Sequence, residues 1–314
     1  MPLTSTAARR PDRGHPGAAM RVRRPAGRLF AERRRDPGPV EHRYLSDLLD
    51  AAGEGPGAAA LAGARSNDNT YTRMTAELLG DLAEPLPPLD RMVLAYALPD
   101  PAVRELAGCG IADLCAGDPD VFSVSGQGAG APFTALRILA AGHDEGVPAD
   151  GGCLVFDQRT GPLTRLWPGA VAGADSVVLL HTTTAGGRPL RFLHDAPAPD
   201  PAAALAGVAR SFPADHLFLG PGLAAAVDGS RTGTGVAVAA GGYRPGPGLA
   251  HAADASRAGT GEVHPVADLL PCTGLWHAAA RYWDHPGPLL LAQTDPVSGR
   301  LYAAGFGAGD GPGR

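Results

Sequence analysis

The stretch SVSGQGAGAPFTALRILAA, from Ser123 to Ala141, runs through three elements in succession. Val121, Phe122 and Val124 make a short β-type run. Ser125 to Gly130 are small or polar, and a glycine stands at every second position. Leu136, Ile138, Leu139 and Ala140 then recur at helical spacing, which predicts a helix over 131–142. A strand that passes through a glycine-rich turn into a helix is where a fold displays a nucleophile or cradles a ligand. Here the turn offers only Ser125, Gln127 and small residues. Ser125 does not stand in the G-x-S-x-G setting of a nucleophile elbow, and its plain reading is a turn hydroxyl.

Outward from this turn the chain alternates. Helices are predicted over 41–52 (Tyr44, Leu45, Leu48, Leu49), 71–83 (Met74, Leu78, Leu79, Leu82) and 101–115. Between the last two, MVLAYAL (92–98) is a continuous apolar run of the kind that makes a buried strand. GGCLVFD (151–157) and DSVVLLHTT (175–183) are two more buried strands. The second half repeats the pattern with a helix over 201–212, strands over 215–220 and 236–240, and a helix over 275–283. PLLLAQTD (288–295) and RLYAAGFG (300–307) read as a closing hairpin. His181 and His194 flank a linker-like TTTAGGRP, and 245–265 reads as a surface loop. Strands alternating with helices indicate an α/β chain. Its halves fall at 41–190 and 191–314, behind a basic tail at 1–40 that reads as disordered.

Composition bounds the class. The 314 residues are 44% hydrophobic but only 5% aromatic, so the core must be built mainly from Ala, Val and Leu. All 27 basic residues are Arg. Residues 1–35 carry a net charge of +8 and the remainder −13, giving the overall −5. A basic tail on an acidic body can meet an acidic partner, but a disordered extension is the plainer reading, and no nucleic-acid partner is expected. No apolar leader and no run long enough to span a membrane is present, so a cytoplasmic protein without a membrane partner is expected. Cys109, Cys115, Cys153 and Cys272 lack metal-ligand spacing and read as reduced, mostly buried thiols. Glycine pairs such as Gly233 and Gly235 lack the strand–helix context of a dinucleotide site. Neither a cofactor nor a metal is therefore expected.

The order of these motifs resembles the thiolase superfamily, and within it the type III ketoacyl-acyl-carrier-protein synthases. The residues that carry the resemblance are Ala95 to Asp100, Val121 to Leu136, Leu154 to Asp157, Ala170 to Leu180 and Leu301 to Gly309, and it spans about 70–309. It implies an α/β thiolase-like fold, five layers α-β-α-β-α from two similar halves. It also implies pairing into a homodimer, or a heterodimer with a ketosynthase, through the strand before the nucleophile turn.

The family acylates a Cys at a helix N-terminus, then uses a His and an Asn to activate the incoming group. Counting from Phe122 puts the Cys position at Gly128; counting back from Leu136 puts it at Ala129. Pro221 falls at the His position and Cys272 at the Asn position. The resemblance thus implies a ketosynthase-like protein without the condensing residues. It would be a non-condensing accessory subunit in polyketide, specialised-metabolite or fatty-acid-type biosynthesis, meeting an acyl-carrier protein or acyl-CoA. Chain-length-factor subunits of this superfamily carry Gln at the nucleophile position, and Gln127 lies beside it; its plain reading is a turn residue. Gln127, Gly128, Ala129 and Phe133 are the pocket candidates. The alternative is an active acyltransferase with a relocated nucleophile. Cys272, just before a helix, and Ser125 are its candidates.

Overall fold

The computed structural model describes residues 20–51, 53, 61, 66–100, 102, 105–144, 150–159, 172–224, 261–266 and 270–309. The strand expected over 236–240, the Gly233–Gly235 pair and most of the 245–265 loop lie outside them.

The N-terminal half is built on β5 (Arg91–Tyr96), β6 (Asp120–Val124), β7 (Gly151–Asp157), β8 (Asp175–Thr183) and β2 (Ala26–Phe30). They lie in the order β6-β5-β7-β8-β2. β5 runs parallel to β6 and β7, and the β7–β8 and β8–β2 pairs are antiparallel. The C-terminal half repeats that order and those directions. Its strands are β11 (Glu262–Pro265), β10 (His216–Leu219), β12 (Leu289–Asp295), β13 (Arg300–Phe306) and β9 (Arg188–Pro197). β1 (Arg21–Val22) pairs with both β8 and β9 and joins the halves into one eleven-stranded sheet. Short β3 (Arg34–Arg35) and β4 (Ser66–Asn67) pair separately.

Side-chain alternation along the strands builds the layers. Val93, Ala95, Cys153, Val155, Val178 and Leu180 point inward. They meet Phe218, Leu289, Leu291, Tyr302, Ala304 and Phe306 of the other half across α4 (Ala131–Asp144) and α6 (Gly274–Ala280). Met92, Leu94, Leu154, Phe156, Val177 and Leu179 point the other way, onto α2 (Tyr71–Gly80) and α3 (Ala107–Leu114). Leu217, Leu219, Leu290, Ala292, Leu301 and Ala303 do the same beneath α5 (Pro201–Ser211). The result is five layers, α-β-α-β-α. Each fully buried aliphatic or aromatic side chain contributes on the order of 1.5–3 kcal/mol. A helix, α1, spans Pro39–Ala51.

The N-terminal region differs from the sequence expectation. Residues 21–35 carry β1, β2 and β3, and four of their arginines pair with acids. Arg24 meets Asp284, Arg28 and Arg33 meet Glu77, and Arg35 meets Glu41. These pairs set part of the basic charge of this region against acids elsewhere in the molecule. Two other stretches read as irregular are also strands. The last two residues of the linker-like stretch, Arg188 and Pro189, open β9, and the end of the expected surface loop is β11. Cys109 is exposed on the outer helix α3 and Cys115 is half-buried, whereas Cys153 and Cys272 are buried.

Candidate functional site

Three chain segments meet at the C-terminal ends of the central strands. The first is the turn after β6. Gly126 and Gly128 take φ +70° and +50° there, conformations that glycine adopts without the penalty of a Cβ. A 3-10 turn over Gly128–Gly130 then leads straight into α4, with the Gly130 N–H donating to Gln127 O at 2.9 Å. The turn is closely covered. A Cβ on Gly128 would stand 2.6 Å from Asp295 Oδ1, and one on Gly130 would fall 2.3 Å from the Tyr302 ring.

The second segment precedes α6. The Asp157 carboxylate, at the end of β7, accepts from the Cys272 and Thr273 N–H groups and from the Thr273 hydroxyl, at 2.7–3.1 Å. It thereby satisfies donors at the start of a helix, where backbone N–H groups lack partners. Burial pushes Asp157 up to about 6, and the hydrogen bonds from Thr273 and Cys272 oppose that rise. Cys272 Sγ lies 3.6 Å from Gly128 O, so the first two segments touch.

The third segment follows β10. Leu223 and Ala224 N–H donate to Gly220 O, forming a helical turn that begins at Pro221. Gly220 packs on Gln293 and Gly222 on Thr294 Oγ1, both on β12 next to Asp295. Gln293 also donates to Pro271 O at 2.6 Å, which ties β12 to the loop carrying Cys272.

Gly128 and Cys272 are therefore in contact, and Pro221 sits on the same end of β12 that faces Gly128. Gln127 accepts a hydrogen bond from Thr134 across the first turn of α4. Ala129 is buried, and Phe133 is 1% exposed, stacked on Tyr302 and tilted against Trp276, so it belongs to the packed interior. Ser125 is exposed at the rim. Cys272 is 1% exposed. Burial and the Asp157 carboxylate hold its thiol well above the usual range. The sequence position before a helix suggested the opposite shift. Desolvation and a neighbouring anion outweigh the helix terminus here.

Sequence reasoning did not find two participants. Asp295 closes over Gly128 while accepting from the Ser298 N–H of the β12–β13 turn. The other is a pair, Ser176 Oγ and His277 Nε2 at 2.8 Å, which places His277 against β8. Burial, with Arg281, lowers His277 to about 4, so its imidazole is neutral at pH 7. One signal was available. β7 and β12 occupy equivalent places in the two halves, and GGCLVFD and LLLAQTD both end in Asp.

No protein-family model and no curated protein matches the sequence. Solved structures do. ChlB3, described as an acyltransferase, superposes with a TM-score of 0.58 at 12% identity, over 93% of this chain and 98% of that one. The ishigamide ketosynthase/chain length factor gives 0.54 at 11% identity, over 92% and 99%. A 3-oxoacyl-(acyl-carrier-protein) synthase III gives 0.50 at 13% identity, over 92% and 99%. With the strand order repeated in both halves and a helical layer between them, the chain has the thiolase-like α/β fold that these structures share.

Proposed function

We propose that the chain is a ketosynthase-like protein that does not condense. It serves as an accessory or partner subunit in polyketide, specialised-metabolite or fatty-acid-type biosynthesis, and it meets an acyl-carrier protein or acyl-CoA. One observation carries this reading. The position expected to bear the nucleophile is Gly128, held at φ +50° with Asp295 Oδ1 where a Cβ would go. A thiolate in that place needs a side chain that the backbone and Asp295 both oppose. The neighbouring Cys272 thiol is buried beside a carboxylate, which disfavours the thiolate that covalent catalysis requires. The proposed pairing with a second copy or a ketosynthase uses β6. Among the described residues it is an edge strand, and Ser123 on it is exposed.

The test is covalent loading. Full-length protein is incubated with radiolabelled acyl-CoA and with acyl-loaded carrier protein, then read by intact mass. The expected result is an unlabelled chain that binds the acyl-carrier protein reversibly. Stoichiometric acylation would overturn the proposal in favour of acyl transfer, and loss of label in Cys272→Ala or Ser125→Ala would identify the nucleophile.

A further inference from the structure

A second cluster of functional side chains lies at the opposite end of β10. His216 opens that strand, and Glu262 is its register partner on β11, the outermost strand of this half among the described residues. His264 lies two residues further along β11, on the same face as Glu262. His216 Nδ1 and His264 Nε2 are 2.9 Å apart. Glu262 Oε2 lies 3.5 Å from His216 Nδ1 and 3.8 Å from His264 Nε2. Both carboxylate distances exceed the roughly 2.7–3.2 Å of a good N–H···O bond. They suit a shared cation. A triangle with these sides has its centre about 2.0 Å from each corner, the length of a Zn–N or Zn–O bond. Adjacent ligand atoms around tetrahedral zinc stand roughly 3.3 Å apart, close to the mean of the three distances.

The surroundings fit the same ion. The His216 and His264 side chains are only 8% and 14% exposed, while Glu262 is 66% exposed, so the cluster is walled on the imidazole side and open on the carboxylate side. Tyr282 packs on both rings, with centroids 4.9 and 4.4 Å away. His285 stands edge-on to His216, but its Nδ1 accepts from the Gly287 N–H, which leaves the proton on Nε2 and no lone pair to add. Among the described residues the cluster has these three ligands, so a fourth position would be open to water. Two imidazoles and one carboxylate suit zinc, not the hard cations that prefer all-oxygen sites.

We propose that His216, Glu262 and His264 bind one zinc ion, which ties the four-residue strand β11 to β10. The ligands come from segments 48 residues apart, so no short motif announces them.

The experiment titrates full-length protein with Zn²⁺ by calorimetry and with Co²⁺ by absorption, and follows melting with and without Zn²⁺. One equivalent should bind, with a Co²⁺ spectrum of nitrogen and oxygen ligands and a rise in melting temperature. Glu262→Gln, altered at an exposed side chain, should keep the fold by circular dichroism, weaken Zn²⁺ at least tenfold and abolish the rise. His264→Gln should weaken it further. Three results would each overturn the site: no stoichiometric binding, binding undiminished in both variants, or a thiolate-to-cobalt charge-transfer band that assigns the ion to cysteine.

Discussion

At Gly128 two restrictions coincide, a left-handed backbone and a carboxylate in the place of a side chain. The first costs a non-glycine residue roughly 1–2 kcal/mol, and overlap with Asp295 adds a comparable amount. Gly128→Ala is therefore expected to lose about 2–4 kcal/mol of unfolding free energy in a urea titration. Adding Asp295→Ala should recover part of that loss; a strictly additive double variant would show that Asp295 is not the obstacle. His277 supplies a pH effect. Its folded value is about 4 against an ordinary value near 6.5, so between those limits the unfolded chain binds a proton that the folded chain refuses. Stability from this group is complete above about pH 6.5 and is lost as the pH falls toward 4, by up to ~3 kcal/mol. Asp157 acts in the opposite sense between about pH 4 and 6. Its raised value lets the folded chain hold a proton that the unfolded chain releases, so its contribution falls as pH rises. His277→Gln should therefore flatten the acid-side loss, measured as unfolding free energy at pH 4, 5, 6 and 7.

At the scale of elements, the two halves exchange supports. Asp157 at the end of β7 caps the start of α6, and Asp295 at the end of β12 closes on the turn that starts α4. Each central helix is thus positioned by an acid from the other half. Asp157→Ala would leave buried N–H groups of Cys272 and Thr273 without an acceptor, at about 1–3 kcal/mol each. Asp157→Asn, which keeps one acceptor, should cost less; equal losses would mean that the cap is incidental. Most of these elements were legible, because GGCLVFD and DSVVLLHTT are apolar enough to be strands without a partner in view. β9 was not. Arg191, His194 and Asp195 interrupt its apolar residues, because one face is half-exposed and the strand is fixed mainly by its ladder to β13. β11 (EVHP) is too short and polar to stand out, and only its register with β10 makes it a strand. The Gly128–Cys272 meeting followed from family order, but Asp295 and the Ser176–His277 pair depend on contacts between halves that local periodicity does not encode.

For the whole molecule, the proposed pairing through β6 has a direct test. A lysine on a sheet edge discourages strand-to-strand association. Ser123→Lys changes an exposed position, so it should leave the melting temperature within a few degrees of the parent. It should convert a dimer to a monomer in light scattering; an unchanged mass would move the interface elsewhere.

β1 has a consequence for how the chain is made. Arg21 reaches the carbonyl of Gly186, 165 residues later, and its strand joins both β8 and β9. During synthesis from the N-terminus, residues 21–30 must wait for most of the first two hundred residues before any of their ladder partners exist. At about 5–20 residues per second, that leaves an arginine-rich strand unpaired for on the order of ten seconds or more on the ribosome. Chains arrested before β8 emerges should thus expose this segment to proteolysis, and release past β9 should protect it.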